Sequence, residues 1–174
     1  CQALADFFTI KEVFGDFQNV TLTFVGDGNN VVNSLILCGA ILGIKIKVAC
    51  PDGFEPDPQI IKESKMINQS IDFLEITNDP LRAVSGANVI YTDVWSSMGE
   101  ENHKNIKDKK FKGFTVDREL LEEAHENAII LHCLPAYRGK EITDEAFESK
   151  NSKIFAQAEN RLYVQQALLY CLLT

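Results

Sequence analysis

Five short runs of apolar and β-branched residues, each separated from the next by a helix-like pattern, constrain this chain more than any other feature. They are Val20-Thr21-Leu22-Thr23-Phe24-Val25, Ile44-Lys45-Ile46-Lys47-Val48, residues 71–76, Asn88-Val89-Ile90-Tyr91-Thr92 and Ala128-Ile129-Ile130-Leu131. Their β-branched and aromatic content marks them as strands. Between them, apolar residues recur at helical spacing. Over residues 2–14, for instance, Leu4, Phe7, Phe8, Ile10, Val13 and Phe14 precede Gly15, the pattern of an amphipathic helix closed by glycine. Alternating strands and helices require parallel strands joined by crossovers, with helices on both faces. The expected fold is a doubly wound, Rossmann-like α/β domain holding a five-stranded parallel sheet in the order 3-2-1-4-5.

The remaining helices carry their own start and stop signals. Residues 31–42 form an apolar stretch ended by Gly43. Asp57-Pro58 and Asp79-Pro80 each pair an N-cap with a proline suited to the first turn, and these helices run to about 69 and to Gly86. Asp117 caps a helix through Ala124, Thr143 starts another, and residues 161–173 give a final amphipathic helix. Residues 100–112 are highly charged and weakly patterned, so they form either a solvated helix or a mobile segment.

A chain of 174 residues makes one domain that buries about 70% of its unfolded surface. A net charge of −8, with no basic run, argues against nucleic acid as a partner. The five cysteines are irregularly spaced without a C-x-x-C, and His103, His125 and His132 are scattered. That pattern speaks for a reducing, cytoplasmic setting and against a disulfide framework or a metal site. No apolar run reaches membrane-spanning length, and no signal peptide is visible. The first residue, Cys1, lies directly inside a helical pattern, so the chain is expected to be a piece of a longer protein.

In an open α/β sheet, ligands bind outside the carboxyl ends of the strands, where the winding reverses. In the order 3-2-1-4-5 that point lies between strands 1 and 4, with strand 5 beyond. The loops after strands 1, 4 and 5 hold Asn29, Asn30, Asp93, Ser97, His132 and Cys133, and all are expected to open onto one crevice. Each residue also has a plainer reading. Cys133 is equally a small buried hydrophobe, the asparagines equally make a turn, Asp93 equally caps the next segment, and Trp95 reads as a core anchor. Gly26-x-Gly28 begins like a dinucleotide fingerprint, but Val31 stands where its third glycine belongs, and Asp52 lies too far on for the ribose acid.

The loops also match a known family. Asp93-Val94-Trp95-Ser96-Ser97-Met98-Gly99 resembles the D-x-W-x-S-M-G loop of ornithine carbamoyltransferases, and His132-Cys133-Leu134-Pro135 their H-C-L-P motif. Gly26-Asp27-Gly28-Asn29-Asn30 is similar to their first ornithine loop, Ala158-Glu159-Asn160-Arg161 to the approach to their last helix, and Cys1-Gln2 to the end of their H-P-C-Q motif. The motifs come in the family's order along the whole chain. Aspartate carbamoyltransferases lack both the S-M-G and H-C-L-P motifs.

The resemblance implies roles. Asn30 and the Met98 backbone would hold the α-carboxylate of L-ornithine, and Asp93 and Ser97 its α-ammonium. Cys133 and the Leu134 backbone would sit where the δ-amine meets the carbamoyl group, with Cys133 and Asp93 the residues closest to the chemistry. Gln2 and Arg161 would touch carbamoyl phosphate. The reaction so implied yields citrulline and phosphate and needs no metal or organic cofactor. The family's preceding domain, with its S-x-R-T phosphate motif, builds a trimer or a multiple of trimers. This chain resembles only the ornithine-binding half, so alone it is expected to be a nearly inactive monomer. Two other readings stay open: a nucleotide-binding Rossmann module, and a non-catalytic amino-acid-binding domain.

Overall fold

The computed structural model describes residues 1–96 and 104–174. Its elements in chain order are α1 (Gln2–Phe14), β1 (Thr21–Val25), α2 (Asn30–Leu42), β2 (Lys45–Ala49), α3 (Pro58–Ile67), β3 (Leu74–Thr77), α4 (Pro80–Val84), β4 (Val89–Thr92), α5 (Lys104–Lys110), α6 (Arg118–Glu122), β5 (Ile129–His132), α7 (Asp144–Phe147) and α8 (Ile154–Leu173). The strands form one sheet in the order β3-β2-β1-β4-β5, every neighbouring pair parallel. This is the expected architecture, and its reversal of winding falls between β1 and β4.

Each sheet face carries its own core. Leu22, Phe24, Val89, Tyr91, Ile129 and Leu131 point to one side, under Phe7 and Ile10 of α1 and Leu35 and Ile36 of α2. Val25, Ile90 and Ile130 point to the other, under Val84, Leu120, Phe147 and the aromatic pair Trp95 and Phe111. The period-two alternation sends successive side chains to opposite faces. Because both faces are covered, the strands read as continuous apolar runs.

Helix starts are set locally. The side chains of Asn29, Asp57, Asp79, Asp117 and Thr143 accept backbone N–H groups at the first turns of α2, α3, α4, α6 and α7, satisfying donors that have no partner within the helix. Two elements differ from the sequence reading. The third strand begins at Leu74, where pairing with Ile46 of β2 starts, and Ile71 is 94% exposed. The last helix begins at Ile154, not at 161. Its buried positions are Ile154, Gln157 and Asn160, two of them polar, so apolar periodicity does not reveal those turns. Farther along α8, Leu162, Leu169 and Leu172 are exposed.

Polar pairs hold α8 to α1. Asn160 Nδ2 donates to Thr9 Oγ1 (3.0 Å), Gln157 Nε2 to Asp6 Oδ1 (2.6 Å), and Arg161 Nη1 to Gln2 Oε1 (3.0 Å). The charged 100–112 stretch is helical over Lys104–Lys110. Residues 100–103 lie outside the described residues; the helix over Lys104–Lys110 is anchored rather than merely solvated, because the buried Lys107 ammonium meets Asp27 Oδ2 at 2.7 Å. Among the described residues, no helix is long and apolar enough to cross a membrane.

Candidate active site

Parallel pairing aligns Thr92 with His132 and Val25 with Thr92. The next residues along β4 and β5, Asp93 and Cys133, therefore emerge side by side at the carboxyl edge, and the loop after β1 opens next to them. Cys133 Sγ donates to Asp93 Oδ1 at 2.9 Å. Asn29 Nδ2 donates to Asp93 Oδ2 at 2.7 Å, and the Val94 N–H also donates to Oδ1 at 2.8 Å. The carboxylate of Asp93, only 6% exposed, is thereby held by donors from three loops.

Asn29 reaches Asp93 because its other end is pinned. Its Oδ1 accepts the N–H groups of Val31 and Val32 and so caps α2. Asn29 thus makes the turn, the plainer reading of this loop, and in addition orients an acid. Asn30, the first residue of α2, is exposed. Ser97 and Met98 lie outside the described residues.

Burial, then the adjacent Asp93 charge and the hydrogen bond to it, drives the Cys133 thiol far above its ordinary pKa. A thiol so placed stays protonated at neutral pH. It is a donor to Asp93 with sulfur lone pairs left over, not a resident thiolate.

The loop behind Cys133 is built on His132. The Leu134 N–H donates to His132 Nδ1 at 2.8 Å, so that nitrogen carries no proton. The other nitrogen, Nε2, faces the buried Glu141 Oε1 at 3.3 Å, and Glu141 Oε1 also accepts the Tyr137 N–H. Leu134 itself takes a left-handed φ of 58°, which turns the chain sharply after Cys133. Ligand atoms of Asp93, His132 and Cys133 lie within 4.8 Å of one another. Both imidazole nitrogens are engaged, however, so the trio offers no free histidine lone pair to a metal.

A second cluster lies directly beneath. Asp6 is fully buried. Its Oδ2 accepts the Tyr91 hydroxyl at 3.1 Å, and its Oδ1 accepts Gln157 Nε2 at 2.6 Å and Gln2 Nε2 at 2.7 Å. Burial, opposed by these hydrogen bonds, raises Asp6 from 3.8 to about 6. Gln2 and Arg161, singled out from the resemblance, meet each other here at the outer end of the cluster.

Sequence reasoning passed over Asp6, Tyr91, Gln157 and Glu141. Asp6 did leave a signal: it sits on the helical stripe of Ala3, Phe7 and Ile10, where an acid is out of place. Tyr91 and Glu141 left none, since their partners are 85 and 9 positions away in the chain. Trp95 is the core anchor expected of it, stacked on Phe111 at 5.4 Å.

The nucleotide reading finds little room. The Gly28 N–H donates to the Phe54 carbonyl at 2.8 Å. The backbone of Phe54 and Glu55 lies so close to Gly28 that any Cβ there would collide with it. The first N–H groups of α2 are taken by Asn29. The donors that would cradle a pyrophosphate are therefore already in use.

Comparisons with known proteins agree with these motifs. Residues 18–172 match the family model described as aspartate/ornithine carbamoyltransferase, Asp/Orn binding domain. An ornithine carbamoyltransferase of Prochlorococcus marinus subsp. pastoris is 65% identical over 173 residues, covering 99% of this chain and 56% of that protein. One from Archaeoglobus fulgidus is 48% identical, covering 99% and 55%. Among solved structures, ornithine carbamoyltransferase from Pyrococcus furiosus superposes with a TM-score of 0.92 at 46% identity, covering 97% of this chain and 54% of that one. The Thermus thermophilus enzyme gives 0.87 at 42% identity, covering 99% and 55%. The chain spans about half the length of the curated relatives it matches. With its site loops in the family's order and its sheet in the family's topology, the chain belongs to the aspartate/ornithine carbamoyltransferases, as their Asp/Orn-binding domain.

Proposed function

We propose that this chain is the ornithine-binding half of an ornithine carbamoyltransferase, a single unit over 1–174. In this reading the δ-amine of L-ornithine attacks the carbamoyl carbon of carbamoyl phosphate, giving citrulline and phosphate. The observation that carries it is the convergence of Asn29 and Cys133 on the Asp93 carboxylate at the strand ends, within a chain 65% identical to an ornithine carbamoyltransferase.

The obstacle to such a reaction is protonation of the amine. An alkyl ammonium with a pKa of about 10.4 costs roughly 4 kcal/mol to hold neutral near pH 7.5. A nearby anion favours the charged form. Asp93 is therefore suited to the α-ammonium, with Ser97 beside it, and Asn30 and the Met98 backbone would take the α-carboxylate. The protonated Cys133 spends its hydrogen on Asp93 and keeps lone pairs for a hydrogen bond from the neutral δ-amine. Leu134 would flank the carbamoyl group, and Gln2 and Arg161 would reach carbamoyl phosphate. With both substrates held in line, positioning supplies most of the acceleration. The whole enzyme would be a cytoplasmic trimer, or a multiple of trimers, completed by a carbamoyl-phosphate-binding half.

Calorimetry with norvaline, an ornithine analogue lacking the δ-amine, tests the reading on this chain and on the enzyme with both halves. Binding to the complete enzyme in the presence of carbamoyl phosphate, in competition with ornithine, is expected. Absence of norvaline heat together with tight NADH binding would overturn it in favour of a nucleotide-binding module.

A further inference from the structure

Lysine is rarely buried unless paired. Among the described residues, Lys107 on α5 is the one lysine or arginine that is. Its ammonium meets Asp27 Oδ2 at 2.7 Å, the two side chains being 9% and 15% exposed, and it lies 5.9 Å from the centre of the Phe54 ring. The next residue of α5 makes a pair of the ordinary kind: Asp108 with Lys140, 41% and 36% exposed. Such exposed pairs contribute little. The enclosed pair is different, because removing one partner leaves the other charge where water solvates it poorly.

Asp27 belongs to the loop that carries Asn29. The turn between them is closed by the Asn29 N–H, which donates to the Asp27 carbonyl at 2.7 Å. On either side of Asp27, the Gly26 N–H donates to the Ala49 carbonyl at 3.0 Å and the Gly28 N–H to the Phe54 carbonyl at 2.8 Å. Those bonds tie the loop's backbone to the end of β2 and the segment after it. The Asp27 side chain is gripped separately, by α5. A continuous set of contacts thus runs from Lys107 through Asp27 and Asn29 to the Asp93 carboxylate.

We propose that Lys107 is a positioning residue for the ornithine side of the site: its ion pair with Asp27 sets the turn that aims the Asn29 amide at Asp93. Asn29 Oδ1 is committed to the first N–H groups of α2, so the Asp27 turn and the helix start together fix where Nδ2 points. A shift of that turn moves the amide off the acid. The inference rests on the role of Asp93 proposed above.

One readout needs no substrate. In nitrogen-edited NMR spectra of the 174-residue chain, the Asn29 side-chain amide is the signal missing from Asn29→Ser. Its hydrogen exchange is expected to be slow, because Asp93 accepts it. Asp27→Asn combined with Lys107→Met removes both charges and leaves neither unpaired. This double variant is expected to fold and to speed that exchange roughly tenfold. Wild-type exchange in the folded double variant would overturn the proposal.

In the complete enzyme, Lys107→Ala is expected to raise ornithine KM roughly tenfold and to leave carbamoyl phosphate KM unchanged. Lys107→Arg, which keeps the charge, should restore most of the loss. In an Asn29→Ser background, where the amide is already gone, the further loss from Lys107→Ala should largely vanish. Equal losses in both backgrounds, or on both substrates, would overturn the proposal. Should Lys107→Ala not fold, the double variant takes its place in the same comparison. Faster Asn29 exchange in the double variant of an enzyme that fails to carbamoylate ornithine supports the positioning and refutes the function proposed for the site.

Discussion

Cys133 and Asp93 face each other across 2.9 Å, thiol to carboxylate, although 40 positions separate them in the chain. Each is the first residue past its strand, and the parallel register of β4 and β5 makes them neighbours. Their pairing shapes what each does: burial, and after it the acid, keeps the thiol protonated, and the thiol occupies one carboxylate oxygen.

Replacing the sulfur tests its part in transfer. Cys133→Ser in the complete enzyme is expected to lower kcat ten- to a hundredfold, about the 1–3 kcal/mol of one misplaced hydrogen bond. Norvaline, which lacks the amine, should bind as before. Equal losses in turnover and norvaline affinity, measured by steady-state kinetics and calorimetry, would make Cys133 a packing residue.

The acid should matter to one substrate only. Asp93→Asn is expected to weaken ornithine about ten- to a hundredfold, the range for a hydrogen bond to a charged group, and to leave carbamoyl phosphate affinity unchanged. Ornithine KM that stays at the wild-type value would remove its assigned role.

Asn29 has two separable duties. Asn29→Ala loses the cap and is expected to destabilise the chain by about 0.5–2 kcal/mol in urea unfolding. Asn29→Ser retains a capping oxygen but cannot reach Asp93 with an amide. It should recover the stability while ornithine affinity stays impaired. Recovery of both by serine would show that the bond to Asp93 does nothing for binding.

Asp6 predicts a pH dependence of stability. Its folded pKa, about 6, lies above its ordinary 3.8, so between those values the folded state keeps a proton that the unfolded chain has lost. The stability this group contributes is full below about pH 3.8 and is lost as pH rises to about 6. Two pKa units correspond to roughly 3 kcal/mol. Relative to Asp6→Asn, the wild type should therefore lose on the order of 3 kcal/mol between pH 4 and 6.5, read from paired urea titrations. A difference that stays flat with pH would mean that Asp6 titrates normally.

Much of this molecule is legible in its letters. Strand runs, helix stops at Gly15 and Gly43 and the Asp-Pro starts at 57 and 79 are local signals, each set by a few adjacent side chains. Their alternation leaves little choice but a parallel sheet. The third strand starts later and α8 earlier than local pattern suggests, because those boundaries are set by partners: Ile46 for Leu74, and Asp6 and Thr9 for Gln157 and Asn160.

The sequence alone determined the fold class, the edge of the sheet where the polar loops gather, and the motifs after strands 1, 4 and 5, because period and capping are properties of neighbouring residues. Tertiary structure decided that Asn29 rather than Asn30 reaches Asp93, that Cys133 is held as a thiol, and that Asp6 lies buried beneath it against Tyr91 and Gln157. Those facts depend on burial and on contacts between residues as far as 151 positions apart, and neither quantity exists until the sheet has brought the segments together.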